Sequence, residues 1–118
     1  RLRYTNAGHE PALLYRVGGG RTEQLCSTGP LAGVIEDADY PTEAVQLEAG
    51  DLLLLYTDGA TDAARGSEWL GTEGLQRILE QHLQPDTQAM LEAIYASILE
   101  FARGSLRDDI ALMLVRAT

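Results

Sequence analysis

Residues 47–62 read Leu47-Glu48-Ala49-Gly50-Asp51-Leu52-Leu53-Leu54-Leu55-Tyr56-Thr57-Asp58-Gly59-Ala60-Thr61-Asp62, and this stretch decides the fold. Glu48-Ala49-Gly50-Asp51 has the composition of a tight turn. The apolar run from Leu52 to Tyr56 that follows has the length of one strand. A continuous run of this kind predicts a strand buried on both faces, although periodicity alone does not separate it from a buried helix. Gly50 on one side and Asp58-Gly59 on the other decide for the strand. A strand buried on both faces is therefore expected to end at Thr57, with an aspartate directly beyond it.

Toward the N-terminus the chain reads as further strands. Leu2 to Thr5 alternates, and Pro11 to Val17 forms a second run that ends in Gly18-Gly19-Gly20, a turn from which Thr22 to Leu25 returns as partner. Residues 26–39 hold two glycines, one proline and three acids and read as a loop. Thr42 to Leu47 alternates again, with Ala44 or Val45 beginning the inward set. Toward the C-terminus the period changes to helical. Thr72 is the expected cap of a helix carrying Leu75, Ile78, Leu79 and Leu83 on one stripe. Pro85-Asp86-Thr87 breaks and restarts the chain, and Met90, Leu91, Ile94, Tyr95, Ile98, Leu99 and Ala102 form a second stripe that Gly104 would stop. A last strand is predicted over Ile110 to Val115. Several strands, two helices and one strand make an α+β class, with a largely antiparallel sheet covered by helices on one face.

Composition narrows the function. The 118 residues are one domain's worth at most, and 45% hydrophobic residues is ordinary for a globular core. Eighteen acids against nine bases give a net charge of −9. That balance argues against nucleic acid and against an anionic membrane surface, and is compatible with either simple solubility or a bound divalent cation. Cys26 is the single cysteine, so no internal disulfide forms and a reducing compartment such as the cytoplasm fits best. Leu52 to Tyr56, the longest strongly apolar run, is far too short to span a bilayer. The chain begins at Arg1, which reads as a piece cut from a longer protein.

The acidic residues at the strand ends carry the chemistry. Asp58 follows one apolar strand; Asp108 and Asp109 precede another. If those strands are antiparallel neighbours, Asp58 and Asp108 converge at one sheet edge. Converging carboxylates require a proton or a cation between them. Hard ions such as Mg2+ and Mn2+ prefer carboxylate and water oxygens, and Gly59 permits the tight turn the backbone needs there. Read as pattern alone, Asp-Gly is also a common turn and Asp-Asp a common solvated loop. No His or Cys pair has zinc-like spacing.

The same residues resemble a known family. Tyr4-Thr5-Asn6-Ala7-Gly8-His9-Glu10-Pro11, Gly29-Pro30-Leu31-Ala32-Gly33, Leu47 to Leu55, Tyr56-Thr57-Asp58-Gly59-Ala60-Thr61-Asp62-Ala63 and Asp108-Asp109-Ile110-Ala111-Leu112 stand in the order and spacing of SpoIIE/RsbU-type phosphatases, members of the metal-dependent PPM superfamily. Tyr56 to Ala63 is the most specific of these matches. The resemblance covers almost the whole chain. It implies an α-β-β-α sandwich of two antiparallel sheets and a two-metal site, Mn2+ or Mg2+. A metal-activated water there attacks a phosphoserine or phosphothreonine without a covalent enzyme intermediate. Carried over by position, Asp58 and Asp108 are metal ligands, Asp109 supports the site at lower rank, and Gly59 shapes the turn. Thr57, Thr61 and Asp62 belong to the motif without an assigned chemical role.

One departure limits the reading. The family's N-terminal portion has a Gly-Asp segment and a Gly-His-Gly, with an aspartate that bridges the metals, and neither is present here. Residues 1–118 are therefore expected to be the C-terminal portion of the phosphatase domain, with its N-terminal portion absent, and to be inactive alone. Sheet edges or an apolar face left uncovered would favour self-association. The resemblance further implies an upstream sensor or receiver domain and a phosphorylated anti-sigma-factor antagonist as substrate. The alternative is a degenerate phosphatase-like module that binds a partner without catalysis. Other residues take ordinary readings: His9 orders its turn, His82 faces solvent, Trp69 anchors a loop against the core, Cys26 is a buried or incidental thiol, and Arg103 and Arg107 make a helix-end charge or surface ion pairs.

Overall fold

The computed structural model describes residues 2–4, 10–26, 43–103 and 109–118. Asn6 to His9, Gly29 to Gly33, Gly104, Arg107 and Asp108 lie outside the described residues, as does most of the expected 26–39 loop.

The Leu52–Tyr56 run is a strand, β5, and the sheet is built around it. On one side it pairs antiparallel with β2 (Ala12–Arg16), which turns through Val17 to Gly20 into β3 (Arg21–Leu25). On the other side it pairs antiparallel with β8 (Leu112–Arg116), so the sheet order is β3-β2-β5-β8. A separate antiparallel pair joins β1 (Leu2–Tyr4) to β4 (Glu43–Val45). These pairings match the antiparallel class that the alternation and turn residues predict.

One face of the sheet carries the core. Leu13, Leu54 and Leu114 stand in one row across β2, β5 and β8, and Leu52 and Tyr56 flank that row on β5. They pack with Leu75, Ile78 and Leu79 of α2 (Gly71–Gln81) and Met90, Ile94 and Ile98 of α3 (Thr87–Phe101). The predicted helical stripes bury in part: Met90, Ile94 and Ile98 are enclosed, whereas Tyr95, placed on the same stripe, is 43% exposed. The opposite face differs from the expectation of double burial. Leu14 and Leu25 are buried there, but Leu55 is 40% exposed. No described helix covers that part of the sheet, so a continuous apolar run is found with only one face fully sealed.

Several local readings are corrected. Helix α2 begins at Gly71, with Leu70 at the cap position, so Thr72 lies inside its first turn. The helix ends at Gln81, which leaves Leu83 beyond it and exposed. His82 is half-buried and its Nε2 lies 2.8 Å from Ser97 Oγ, tying the end of α2 to α3. A two-residue hairpin, β6 (Ala64–Arg65) and β7 (Glu68–Trp69), was not visible in the pattern. Trp69 is exposed there rather than packed inward, and Cys26 is exposed as well. Arg65 of the hairpin donates Nε–H to the Phe101 carbonyl at 3.1 Å and lies over the Phe101 ring, satisfying an open acceptor at the end of α3. Asp86 caps the start of α3 by accepting from the Ala89 N–H at 3.2 Å, at the break expected over Pro85-Asp86-Thr87.

Candidate metal centre

The antiparallel β5–β8 pair brings the end of one strand beside the start of the other. Its last regular rung is Tyr56 opposite Leu112. One step further the pairing continues in altered form. The Thr57 N–H donates to the Ala111 carbonyl at 3.1 Å, and the Ala111 N–H donates to Thr57 Oγ1 at 3.0 Å. Asp58 follows directly on one strand, and Asp109 stands two residues before Ala111 on the other. The antiparallel pairing on which the expected convergence of Asp58 and Asp108 rests is present, and Asp58 and Asp109 stand at adjoining strand ends; Asp108 lies outside the described residues.

Asp58 opens a single helical turn, α1 (Asp58–Thr61). The turn is closed on the Asp58 carbonyl, which accepts from the Asp62 N–H at 2.7 Å and from Thr61 Oγ1 at 3.2 Å. Gly59, Ala60 and Thr61 are buried while Asp58 itself is exposed. Gly59, expected to shape the site, is the second residue of this turn and is buried within it. The result is an exposed aspartate at the head of a buried turn.

Two further contacts tie this motif to its neighbours. Tyr56, 5% exposed, donates its hydroxyl to the Pro11 carbonyl, and burial pushes its phenol pKa up. The end of the Tyr4 to Pro11 segment is thereby attached to the residue two before Asp58. At the opposite end of β5, Asp51 is 2% exposed and accepts from the backbone N–H groups of Glu48 at 2.9 Å and Val17 at 3.1 Å. Arg16 completes the set at 3.1 Å while also pairing with Glu23 at 2.6 Å. Burial works to raise the Asp51 carboxyl, but the two backbone donors and the guanidinium outweigh it and hold it below its ordinary value. Sequence reasoning took Asp51 for a turn residue only; the nearby Gly50 signals a turn, and nothing local signals a buried carboxylate.

The donor chemistry fits a hard divalent cation in part. Asp58 and Asp109 offer carboxylate oxygens, the preferred ligands of Mg2+ and Mn2+. Among the described residues, no group of three or more His, Cys, Asp or Glu side chains is placed to hold a metal ion.

Comparison with known proteins gives the same direction. A family model described as Stage II sporulation protein E (SpoIIE) matches residues 1–118. The phosphoserine phosphatase RsbU of Bacillus subtilis is 33% identical over 113 residues, which cover 96% of this chain and 34% of that protein. Protein IcfG of Synechocystis is 32% identical over 116 residues, covering 97% of this chain and 18% of that protein. The chain therefore spans about a third of RsbU and less than a fifth of IcfG. Among solved structures, the manganese-presoaked phosphatase domain of the cell fate determinant SpoIIE from Bacillus subtilis superposes with a TM-score of 0.75. Its identity is 22%, and the match covers 98% of this chain and 49% of that one. At that identity the likeness establishes the shared α+β fold.

Proposed function

The chain belongs to the Stage II sporulation protein E (SpoIIE) family, and from that premise we propose that residues 1–118 are the C-terminal portion of a metal-dependent protein serine/threonine phosphatase domain. The observation that carries this reading is the antiparallel β5–β8 pairing, which the Thr57–Ala111 contacts extend to within one residue of Asp58 and two of Asp109. The match to about half of a solved phosphatase domain supports the partial-domain assignment.

In this reading Asp58 and Asp108 hold the metal, Asp109 supports it, and Gly59 keeps the backbone turn tight. When bound, Mn2+ or Mg2+ lowers the pKa of a coordinated water and neutralises charge on the phosphoryl group. The chain's own part is to present carboxylates from fixed backbone, so that little reorganisation accompanies binding. The proposed substrate is a phosphorylated protein, an anti-sigma-factor antagonist in a partner-switching pathway. The proposed parent chain carries a sensor or receiver domain upstream and works in the cytoplasm, which the exposed thiol of Cys26 suits.

The test is Mn2+-dependent phosphate release from a phosphoserine peptide by the full-length protein. A bound metal is worth several kcal/mol to such a transition state, so Asp58→Asn or Asp108→Asn should each cost at least about a hundredfold in kcat/KM. The isolated 118-residue chain should release little or no phosphate. Robust turnover by that chain, abolished by Asp58→Asn, would overturn the partial-site reading. A full-length protein that binds its partner and releases no phosphate would instead be a phosphatase-like docking module.

A further inference from the structure

Thr57 occupies the N-cap position of α1, where a threonine side chain ordinarily accepts from a helix N–H, yet it makes no such bond. Its carbonyl accepts from the Ala60 N–H at 3.0 Å and so is committed to starting α1. That carbonyl would otherwise accept from the Ala111 N–H in a regular antiparallel rung. The hydroxyl takes its place: Oγ1 accepts from the Ala111 N–H at 3.0 Å while the Thr57 N–H completes the rung to the Ala111 carbonyl. One residue thus ends the strand, starts the helical turn and keeps the ladder closed.

Resting on the metal reading above, we infer that Thr57 is a positioning residue: its hydroxyl fixes the backbone next to Asp58 against Ala111, the residue that leads into β8. The clamp lies one residue from Asp58 and two from Asp109. Freed from it, the chain before Leu112 gains a soft joint beside Asp58, and a metal held from both strand ends must first order that joint. Valine has the shape of threonine without the acceptor, whereas serine keeps the acceptor.

The experiment uses the full-length protein, wild type, Thr57→Val and Thr57→Ser, with two readouts. Backbone amide exchange of a peptide containing Ala111, in metal-free protein, reports the clamp itself. Mn2+ titration calorimetry reports its effect on the site. Thr57→Val is expected to speed Ala111 exchange and weaken Mn2+ binding roughly tenfold, the lower end of the effect of residues that orient metal ligands. Thr57→Ser is expected to restore both. Unchanged Mn2+ affinity in Thr57→Val, or equal weakening in Thr57→Ser, overturns the positioning role. Wild-type protein that binds no Mn2+ overturns the phosphatase reading and this role together, while an exchange change without an affinity change overturns this role alone.

Discussion

Asp51 shows how a single side chain sets the frame on which the site is built. Its carboxylate is buried and satisfied by two backbone N–H groups and the Arg16 guanidinium. Asparagine has nearly the same shape but would aim an N–H at one of these donors. Asp51→Asn should therefore destabilise by about 2–4 kcal/mol at neutral pH, the range for breaking a buried, charge-assisted set. The pH dependence has a definite sign. The folded-state pKa lies below the ordinary 3.8, so the Asp51 contribution is fully present above that value and is lost as pH falls through the folded pKa. Urea denaturation of both proteins at pH 7 and near pH 3 checks it, and the gap between them should narrow in acid. An equal gap at both pH values would mean that the charge is not what stabilises the turn.

The elements that bear the site were legible where a strong pattern met a clear stop. The β2–β3 hairpin followed from an apolar run that ends in Gly18-Gly19-Gly20 and the returning Thr22 to Leu25, and α3 from its stripe after the Pro85-Asp86-Thr87 break. The antiparallel pairing of β5 with β8, on which the expected convergence of Asp58 and Asp108 rests, is present. What the pattern hid was carried by backbone rather than by apolar spacing. Strand β8 starts at Leu112 instead of Ile110 because the rung before it is closed by a side chain, which no periodicity encodes. Helix α1 is four residues long and β6 and β7 two each, too short for any period to show. The turn into β5 was legible, and its demand on Gly50 makes a prediction. Gly50 has φ +93°, and a Cβ there would lie 3.3 Å from Val17 Cγ2. Gly50→Ala should cost about 1–3 kcal/mol through the left-handed backbone alone. Thermal unfolding measures the loss, and an unchanged melting temperature would show that the turn relaxes without strain.

At the scale of the whole molecule, what matters is the sheet face that the helices do not cover. Leu55 and Met113 are paired neighbours on β5 and β8, and Val115 stands beside Leu53 in the next row of the same face. Leu55, Met113 and Val115 are 40, 58 and 44% exposed. Strand β8 is also the outer strand of its sheet among the described residues, so an apolar face and a free edge coincide. Both features favour association, the face through the hydrophobic effect and the edge through unpaired backbone groups. The isolated chain should therefore self-associate, with a mass in light scattering that rises with concentration. Met113→Lys combined with Val115→Lys should return it to monomer, because both side chains lie on the exposed face and neither contributes to the core. Surface replacements of this kind shift stability by only about 0.5 kcal/mol, so the melting temperature separates lost association from lost folding. A wild-type chain that stays monomeric at high concentration would mean that this face is tolerated in water, and association through it would then play no part in the behaviour of the isolated chain.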